Sequence, residues 1–583
     1  MSGPLKGKRS NNNAQLCLMK PVSFRRHVVA GLTAALLALS LPGSHLQAVP
    51  KENPGQAYFE IVKGIDLLGE VYRRLSENYV EPIDAVKLMY AAIDGMLAVL
   101  DPYTVFLDES QSEELGEMTS GQYTGIGLNM SRFVEKVYIT SVLEGYPAWK
   151  AGIRTGDRIV RINGNFVTGK NLDEIRAMMK GGTGTPLMMK IEREGGRDPG
   201  IITLSREEVR AGTVPYSGII GQTGYLEISS FSSHSTEDIR LAVEKLLRQS
   251  AESRQPMNGL IIDLRGNPGG LLSAAVEISS LFMEKGSTVV TIRGRSPESE
   301  KIYKTEQLPI AEAFPIAVLI NRESASASEI ISGAVQDLDR GVVIGERSYG
   351  KGLVQSVIRL PYDNTLKVTT AKYYTPSGRL IQKPHADSGT ARNVLMKNDD
   401  RKALPVYYTA GKRKVYGGGG IAPDMTVADI SRSEYEQELR RRGMIFLFAA
   451  RYRALHPDAV RQPLDRAVLI DEFAFFLRQQ GFSFTSAPER HLKELEESIA
   501  EEQGDKKAAG PESIPGLKQE LARMKQKRVD GESERIARLL ELEIMRHGDE
   551  NASRRAALGD DPVVQKALAL LADPKAYSRQ LKP

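Results

Sequence analysis

Runs of apolar residues alternate with amphipathic stretches through the middle of the chain, and this pattern predicts a sheet covered by helices. Residues 315–320 form an apolar run typical of a buried strand, and a helical pattern follows it. The same alternation recurs at residues 259–263, 271–282 and 288–292, which predict a strand, a helix and a strand. We therefore predict a mixed α/β domain over residues 208–430.

A helical segment precedes this domain. Over residues 57–112 the pattern predicts helices, one of which places four apolar side chains on a single face: Val86, Tyr90, Ile93 and Leu97. The pair Asp101-Pro102 breaks the pattern, because proline does not continue a helix. Packing of this face inside the protein is the simplest interpretation.

The region after the middle domain, residues 431–583, is rich in charged residues and in helical patterns. Asp561-Pro562 is typical of a helix start, with a capping carboxylate before a proline in the first turn. Residues 504–516 predict a linker, and residues 383–417, polar and without periodicity, predict a loop or insertion. Two interpretations of the charged helices stay open. They are solvated faces over a packed core, or surfaces for oligomerisation or for an adaptor protein.

The first 48 residues have the layout of a secretory signal peptide. Residues 1–26 contain six basic residues and no acidic one, residues 28–41 are apolar, and Leu46-Gln-Ala48 provides a small-residue cleavage site. We predict cleavage after Ala48, and hence an exported protein of the periplasm or cell envelope. An uncleaved N-terminal anchor, associated with the membrane, is the alternative, although the apolar run is shorter than the ~20 residues of a typical membrane span.

Removal of this leader changes the charge and the cysteine content of the chain. The formal charge falls from +5 to −1, so the mature protein has no basic excess that would favour nucleic acid. The single cysteine, Cys17, leaves with the leader. Disulfide bonds, a thiol nucleophile and a cysteine metal site are therefore excluded for the mature chain.

Candidate chemistry centres on a serine and a lysine that follow successive apolar strands. Ser326 lies where the first of these strands turns into a helix, so the free N–H groups of the first helical turn lie beside it. Lys351 lies between Gly350 and Gly352, after a second apolar run at residues 342–345. Neighbouring strands of one sheet would bring the two side chains together. Burial would keep the lysine neutral and able to remove the serine proton.

Two further features concern the same serine. The glycine turn at residues 263–270 and the N–H groups after Ser326 are candidate donors to the oxyanion of an acyl-transfer reaction. Ser326 and Glu329 also match a capping box, in which serine caps the helix and glutamate reaches back to the serine N–H. A purely structural helix cap is therefore the alternative for this motif taken alone.

In combination these residues resemble the carboxyl-terminal processing, or tail-specific, proteases of peptidase family S41. The resemblance is carried by Ser324-Ala-Ser-Ala-Ser-Glu329 and by Tyr349-Gly-Lys-Gly-Leu-Val-Gln355, and it extends over about residues 57–430. It implies a mixed α/β core of the crotonase/ClpP-like type. Further similarity lies in three segments: residues 224–231, 369–378 and 420–424.

The resemblance implies a role for each matching residue. It makes Ser326 the nucleophile, Lys351 the general base and Gln355 the residue that orients the lysine. It gives Glu329 a supporting role. The oxyanion hole corresponds to the backbone N–H groups of two residues, Gly270 and Ala327. In the family the N-terminal helical segment often pairs subunits, which makes a homo-oligomer an implied state.

Residues 115–207 resemble a PDZ domain. Within them, a glycine-containing loop resembles the one that holds the carboxylate at a chain end through free backbone N–H groups. The predicted loop residues are Gly125, Ile126, Gly127 and Leu128. Residues 172–179 predict the helix that lines the peptide groove. PDZ relatives often have arginine after this helix, whereas this chain has Lys180, so coupling of ligand to activation through that arginine is open.

Other functions fit the sequence less well. A Ser-His-Asp hydrolase needs a histidine base, and none of the seven histidines lies in a recognisable motif, although His234 merits a control mutation. A metalloprotease would need a ligand cluster such as His-Glu-x-x-His, which the chain lacks. An acyl-thioester enzyme would share a glycine-lined oxyanion hole, but the PDZ domain and the leader favour peptides. A non-catalytic PDZ scaffold is the non-enzymatic alternative.

The sequence thus predicts an α/β multidomain protein. We expect an exported serine endopeptidase with a Ser-Lys dyad and no cofactor. Its partners would be proteins bound by apolar C-terminal tails and a second copy of the chain, with an adaptor protein as a further candidate. The five predicted parts are a signal peptide (1–48), an N-terminal helical region (49–114), a PDZ domain (115–207), an S41 protease core (208–430) and a helical C-terminal extension (431–583).

Overall fold

A computed structural model describes most of the chain beyond the predicted signal peptide. The chain divides into two compact units, residues 1–89 and 90–583. In the first unit, α1 (Pro54–Asn78) precedes the start of α2 (Ala85–Leu97). Among the described residues, no helix combines the length and apolarity that crossing a membrane requires. These residues are 54–195, 198–312, 314–384, 404–457, 459, 464–502 and 513–583.

The second unit begins with a short strand and a capped helix, β1 (Val105–Leu107) and α3 (Glu109–Ser120). Helix α3 starts with a capping box, since Asp108 accepts the N–H of Gln111 at 2.9 Å and the Gln111 side chain accepts the N–H of Asp108 at 3.2 Å. The prediction of helix throughout residues 57–112 is wrong at β1. This strand exists because it pairs with residues 365–367, a partner that no local pattern reveals.

An antiparallel sheet with one groove helix follows. Its elements are β2 (Gln122–Gly125), β3 (Leu128–Phe133), β4 (Lys136–Val142), α4 (Pro147–Lys150), β5 (Arg158–Ile162), β6 (Asn165–Phe166), α5 (Leu172–Met179), β7 (Pro186–Glu192), β8 (Gly200–Ser205) and β9 (Glu207–Arg210). The strand order is β3-β4-β5-β7-β8 with β6 on β5, and β2 pairs separately with β9. Strand β3 therefore lies at an edge of the sheet. Helix α5 has the bounds predicted for the groove helix.

Two sheets and three long helices form the next domain. The elements are β10 (Tyr216–Ile220), β11 (Thr223–Glu227), α6 (Ser235–Glu252), β12 (Gly259–Asp263), α7 (Leu272–Ser280), β13 (Thr288–Gly294), a 3-10 helix (Pro297–Ser299), β14 (Lys301–Lys304), β15 (Ile316–Ile320), α8 (Ala327–Asp337), β16 (Gly341–Gly345), β17 (Leu353–Arg359), β18 (Thr365–Tyr374), β19 (Val406–Tyr408), β20 (Lys414–Tyr416) and β21 (Met425–Thr426).

The first sheet of this domain has the order β10-β11-β12-β15-β16-β21 and is parallel from β11 onwards. The second has the order β1-β18-β13-β14, with β17 also on β18, and its pairs are antiparallel. Strands β19 and β20 form a hairpin within the segment predicted as a loop or an insertion, so an irregular loop is wrong for this part. Residues 385–403 of the same segment lie outside the described residues.

Helices complete the chain. They are α9 (Glu434–Arg441), α10 (Met444–Leu455), α11 (Arg466–Gln479), α12 (Ala487–Glu502), α13 (Ser513–Gly531), α14 (Ser533–Arg546), α15 (Glu550–Leu558), α16 (Pro562–Ala572) and α17 (Pro574–Gln580). The side chain of Asp561 caps α16, as predicted. The predicted linker, residues 504–516, extends too far, because α13 already begins at Ser513; residues 503–512 lie outside the described chain.

The C-terminal helices pack on both neighbouring domains. Helix α16 covers the face of the parallel sheet opposite α6–α8, so the sheet is buried on both sides, as parallel sheets are. The Tyr577 hydroxyl exchanges hydrogen bonds with the N–H and carbonyl of Ile316, at 3.0 and 3.1 Å. Towards the PDZ-like sheet, Phe446 packs against Phe133, with ring centroids 5.3 Å apart and ring planes tilted by 42°. The apolar faces of these C-terminal helices are therefore packed, as expected from the interpretation of solvated faces over a packed core.

A buried ion pair at the end of α8 is expected to contribute strongly to stability. Asp337 and Arg379 are both fully buried, and Arg379 Nη2 lies 2.6 Å from Asp337 Oδ1. Asp337→Ala should lower the free energy of unfolding by about 3–5 kcal/mol, because it leaves a buried guanidinium without its carboxylate. Urea unfolding measures this. The pair of Glu438 and Arg441, whose arginine is 71% exposed, provides the control, since Glu438→Ala should cost less than about 1 kcal/mol. Equal losses in the two variants would contradict the argument.

Candidate active site

Ser326 lies between a buried strand and a buried helix. Strand β15 ends at Ile320, and Ser326 is the N-cap of α8. Its backbone has φ 53° and ψ −112°, a conformation that costs a non-glycine residue roughly 1–3 kcal/mol. Neighbouring groups hold it there. The Ser326 N–H donates to Glu329 Oε2 at 2.9 Å, and the Ser326 carbonyl accepts the Tyr373 hydroxyl at 3.1 Å.

Lys351 lies in the segment that leads from the parallel sheet to the antiparallel one. It follows β16, which is the parallel neighbour of β15, and it comes two residues before β17, which pairs with β18. Ser326 follows β15. The prediction that the serine and the lysine follow neighbouring strands of one sheet is therefore confirmed.

The ammonium group of Lys351 has a restricted environment. Its Nζ donates to Gln355 Oε1 at 2.9 Å and lies 4.7 Å from the centroid of the Tyr103 ring. Burial, and after it the like charge of Lys367, lowers the pKa of Lys351 to about 8. A neutral amine is thus accessible close to physiological pH, as a general base requires.

The side-chain amide of Gln355 is oriented by a second partner. Gln355 Nε2 donates to the backbone carbonyl of Tyr103. Since a carbonyl only accepts, the amide nitrogen must face Tyr103, and Oε1 is left to face Lys351. The geometry thus gives Gln355 the orienting position that the resemblance implied. Sequence reasoning missed Tyr103; only the preceding Asp101-Pro102 break marked this segment.

Glu329 connects the serine and lysine segments through a single carboxylate. It is fully buried, and it accepts hydrogen bonds from the N–H groups of Ser326, Gly350 and Lys351 at 2.9, 2.7 and 2.9 Å. The Ser348 hydroxyl donates a fourth, at 2.5 Å. Burial raises the pKa of Glu329 to about 7, against the lowering effect of these four donors. The reach of this side chain back to Ser326 is the glutamate half of the predicted capping box.

A second buried group joins the same two segments. The Tyr373 hydroxyl lies within hydrogen-bond distance of the carbonyls of Ser326 and Lys351, at 3.1 and 2.5 Å. Burial raises the pKa of Tyr373 well above its ordinary value, so the hydroxyl keeps its proton. Sequence reasoning assigned Tyr373 no role, although it lies in the similar segment at residues 369–378. Glu329 and Tyr373 together fix N–H and carbonyl groups of both segments.

The glycine turn after β12 touches the serine directly. A Cβ on Gly269 would lie 2.8 Å from Ser326 Cβ and 2.9 Å from the nitrogen of Ala327. The turn is held by Asn267, whose carbonyl accepts the N–H of Ala325 at 3.1 Å and the Ser328 hydroxyl at 2.9 Å. These contacts place the start of α8 against the turn that contains the predicted oxyanion glycine.

The two predicted oxyanion donors have unused N–H groups. Neither Gly270 nor Ala327 donates a backbone hydrogen bond to another group of the described chain. Gly270 is exposed, and its neighbours Gly269 and Leu271 make the bonds that join the turn to Phe231, at 3.3 and 2.8 Å. Two N–H groups beside a serine hydroxyl are the donors that a tetrahedral intermediate needs.

Comparison with known proteins agrees with this geometry. The model of peptidase family S41 matches residues 222–392. A carboxy-terminal-processing protease of Bartonella bacilliformis is 35% identical over 356 residues, which cover 61% of this chain and 79% of that protein. The carboxy-terminal processing protease CtpB of Bacillus subtilis is 33% identical over 386 residues, covering 66% and 76%. The chain belongs to the carboxy-terminal processing proteases of peptidase family S41.

Further matches divide this carboxy-terminal processing protease into parts. A PDZ domain model matches residues 138–193, the CtpB N-terminal domain model matches residues 43–111, and a C-terminal helical domain model of probable PDZ-proteases matches residues 435–571. A solved structure titled photosystem II D1 C-terminal processing protease is 28% identical, covers 62% of this chain and 92% of its own, and has a TM-score of 0.33. A TM-score of this size carries no conclusion about the overall arrangement.

The protease should be sensitive to a side chain on Gly270. This residue has φ 154°, and a Cβ built on it would lie 2.1 Å from the Phe231 carbonyl oxygen, which belongs to the backbone. Gly270→Ala should therefore move the turn and lower kcat by about 10²-fold, the effect of losing one oxyanion donor. Peptide-cleavage kinetics measure it. Gly286→Ala is a control for positive φ, because no atom lies near its Cβ position. Full activity of Gly270→Ala would contradict the assignment.

The predicted carboxylate loop of the PDZ domain is fixed through its carbonyls. The carbonyl of Ile126 accepts the N–H of Ala148 at 3.0 Å, and that of Gly127 accepts the N–H of Leu143 at 2.9 Å. Ile126 is buried in the PDZ core. The loop joins Gly125 at the end of β2 to Leu128, the first residue of the edge strand β3. All four predicted loop residues thus lie at the start of an open strand edge.

Lys180, which stands where relatives often have arginine, also has a defined partner. It follows the groove helix α5, and its Nζ lies 2.5 Å from Glu113 Oε2 on α3. His234, the alternative base, is the N-cap of α6, and its side chain makes no capping bond.

Proposed function

We propose that this protease is an exported serine endopeptidase that uses a Ser326–Lys351 dyad. The observation that carries the proposal is the shared Glu329 carboxylate, which binds the N–H groups of both residues while burial lowers the pKa of Lys351 to about 8. A purely structural helix cap would need neither a desolvated lysine nor an oriented amide beside it. Gln355 supplies that amide.

The proposed reaction uses only groups of the chain and water. The Ser326 hydroxyl attacks the scissile carbonyl carbon and passes its proton to neutral Lys351 Nζ. The N–H groups of Gly270 and Ala327 bind the oxyanion. The C–N bond then breaks, Lys351 returns the proton to the leaving amine, and an acyl-enzyme remains. Water, deprotonated by Lys351, attacks the ester, and the serine oxygen leaves with that proton.

The PDZ domain is proposed to select substrates by their C-terminal tails. The carbonyls of Ile126 and Gly127 accept hydrogen bonds that fix the loop, and in the described chain the N–H groups of the same two residues donate no backbone hydrogen bond, so they can bind a terminal carboxylate. The free edge of β3 can pair with an extended apolar tail through main-chain hydrogen bonds. Proteins of the cell envelope with such tails are the proposed substrates.

Location and assembly form a further part of the proposal. The basic and apolar pattern of residues 1–48 supports export to the periplasm or cell envelope, with membrane association as the alternative if the leader is retained. Sequencing the N-terminus of the exported protein should find Val49 first, and a retained leader would contradict cleavage. A second copy of the chain and an adaptor protein are the proposed partners beside substrates.

The test is cleavage of an unstructured protein with an apolar C-terminal tail. The protein from Val49 onward should release fragments, seen by mass spectrometry, and Ser326→Ala should release none. Gly127→Ala places a Cβ 2.5 Å from the Tyr146 Cβ and should distort the loop. It should slow cleavage of the tailed protein about tenfold while short peptides without the tail are cleaved as before. Equal slowing of both substrates would contradict a substrate-selecting role of the PDZ domain. Binding of the tail without any cleavage would indicate a non-catalytic scaffold.

A further inference from the structure

Two strand ends beside the active site make ion pairs with the C-terminal helices. Glu227 and Asp263 are the last residues of β11 and β12 and lie opposite each other in the sheet. Arg554 of α15 contacts both oxygens of Glu227 at 3.0 Å. Arg265 contacts Asp263 at 2.6 Å and Asp561, the cap of α16, at 2.8 Å. The C-terminal helices thus supply the positive charge of Arg554 to the end of β11 and the negative charge of Asp561 to Arg265, which follows the end of β12.

Arg265 belongs to the turn that forms the oxyanion site. It lies between Asp263 and the glycines 269 and 270, and its own N–H also donates to Asp263 Oδ1 at 3.0 Å. Its side chain is 13% exposed, and those of Asp263 and Asp561 are 5% and 19% exposed. Because solvent screens these sheltered charges less, their ion pairs restrict the positions of the side chains more than exposed surface pairs do.

We infer that Asp561 is a positioning residue for the oxyanion turn, through Arg265. The helical C-terminal region then does more than cover the sheet. It sets the place of the Gly270 N–H relative to Ser326. The inference rests on the proposed function only where cleavage kinetics are the readout. Hydrogen exchange measures the turn independently of cleavage.

The two oxygens of Asp561 have separate tasks, which makes a clean substitution possible. Its Oδ1 accepts the N–H groups of Val563 and Val564, at 2.9 and 3.1 Å, and so caps α16. Its Oδ2 faces Arg265. Asparagine is as good an N-cap as aspartate. Asp561→Asn therefore keeps the helix start and removes only the charge that Arg265 requires.

The kinetic experiment uses the full chain and a cleavable peptide. Asp561→Asn should lower kcat about tenfold with KM within about twofold, because a displaced donor weakens transition-state binding and leaves the ground state unaffected. A peptide aldehyde, which forms a tetrahedral adduct, should lose affinity by about the same factor. Asp560→Asn is the matched control. The neighbouring Asp560 is exposed and pairs with Arg538 inside the helical region, so its loss should change neither quantity.

Hydrogen exchange of the segment 264–271 is the second readout. It should become about tenfold faster in Asp561→Asn and stay unchanged in Asp560→Asn, whether or not the protein cleaves the peptide. Arg265→Gln should reproduce the effect, and the double variant should be no worse than either single one. If Asp561→Asn does not fold, Arg265→Gln alone tests the same contact from its other side.

The outcomes separate the two proposals. Unchanged exchange together with unchanged kcat, or a loss of melting temperature alone, overturns the positioning role of Asp561. A wild-type chain that cleaves nothing, or that cleaves equally well as Ser326→Ala, overturns the proposed dyad, and the exchange measurement still decides the inference. Equal effects of Asp560→Asn and Asp561→Asn would also overturn it, because they would show a general loss of helix stability.

Discussion

Lys351→Ala is expected to lower kcat/KM for a cleaved peptide by more than about 10³-fold, the scale on which removing a base from a serine enzyme acts. The physical reason is that alanine has no group able to take the Ser326 proton, and serine is a weak nucleophile until a base removes that proton. Stopped assays with a fluorogenic peptide measure the loss. Circular dichroism should show an unchanged fold, because burial already disfavours the charged lysine.

Two further substitutions sharpen this prediction. Lys351→Arg should be as inactive as alanine, since a guanidinium stays protonated and cannot take a proton. Lys372→Ala is the matched control, because Lys372 is exposed and lies opposite Leu353 on the neighbouring strand. Substantial cleavage by Lys351→Ala would contradict the proposed dyad, and His234 would then be the next candidate for the base.

Activity is expected to rise with pH through about 8. The lysine must be neutral to act, its pKa is lowered to about 8, and so the active fraction falls as pH drops below that value. From this group alone, kcat/KM at pH 6 should be about 100-fold below the plateau. A pH profile from 5.5 to about 9.5 measures the midpoint. A profile centred near the ordinary pKa of histidine, about 6.5, would contradict a lysine base.

A second ionisation should steepen the same profile. Glu329, with a pKa raised to about 7, accepts the N–H groups of Ser326 and Lys351 more strongly as a charged carboxylate than as a neutral acid. Its protonation below about pH 7 should weaken both contacts, and the slope should approach about two decades per pH unit. Lys367→Met should move the upper midpoint to higher pH, since it removes a like charge that lowers the pKa of Lys351.

Local patterns were enough to place Ser326 at a helix start and to delimit helix α5. The apolar run at residues 315–320 became β15, the helix start after Ser326 became α8, and residues 172–179 became α5 with the same bounds. These elements follow from hydrophobic periodicity and capping, which act over a few residues. The Gly-Lys-Gly turn was likewise visible, and its lysine lies in the predicted site.

Contacts between distant segments could not be predicted. The carbonyl of Tyr103 reaches Gln355 because β1 and β17 both pair with β18. Hydrophobic patterns determine which face of a strand is buried and not which strand lies beside it. The partner of Asp561 was hidden for the same reason. Its capping role is local, whereas its contact with Arg265 spans two domains.

The carboxylate of Glu329 also has a consequence for biosynthesis. The donors that it gathers lie between Ser326 and Lys351, so the strained serine backbone is held only after the later lysine turn has folded against α8. A nascent chain that has not yet reached the lysine turn therefore contains Ser326 without the carboxylate network that joins it to Lys351. We expect such a chain to be inactive until the core is complete.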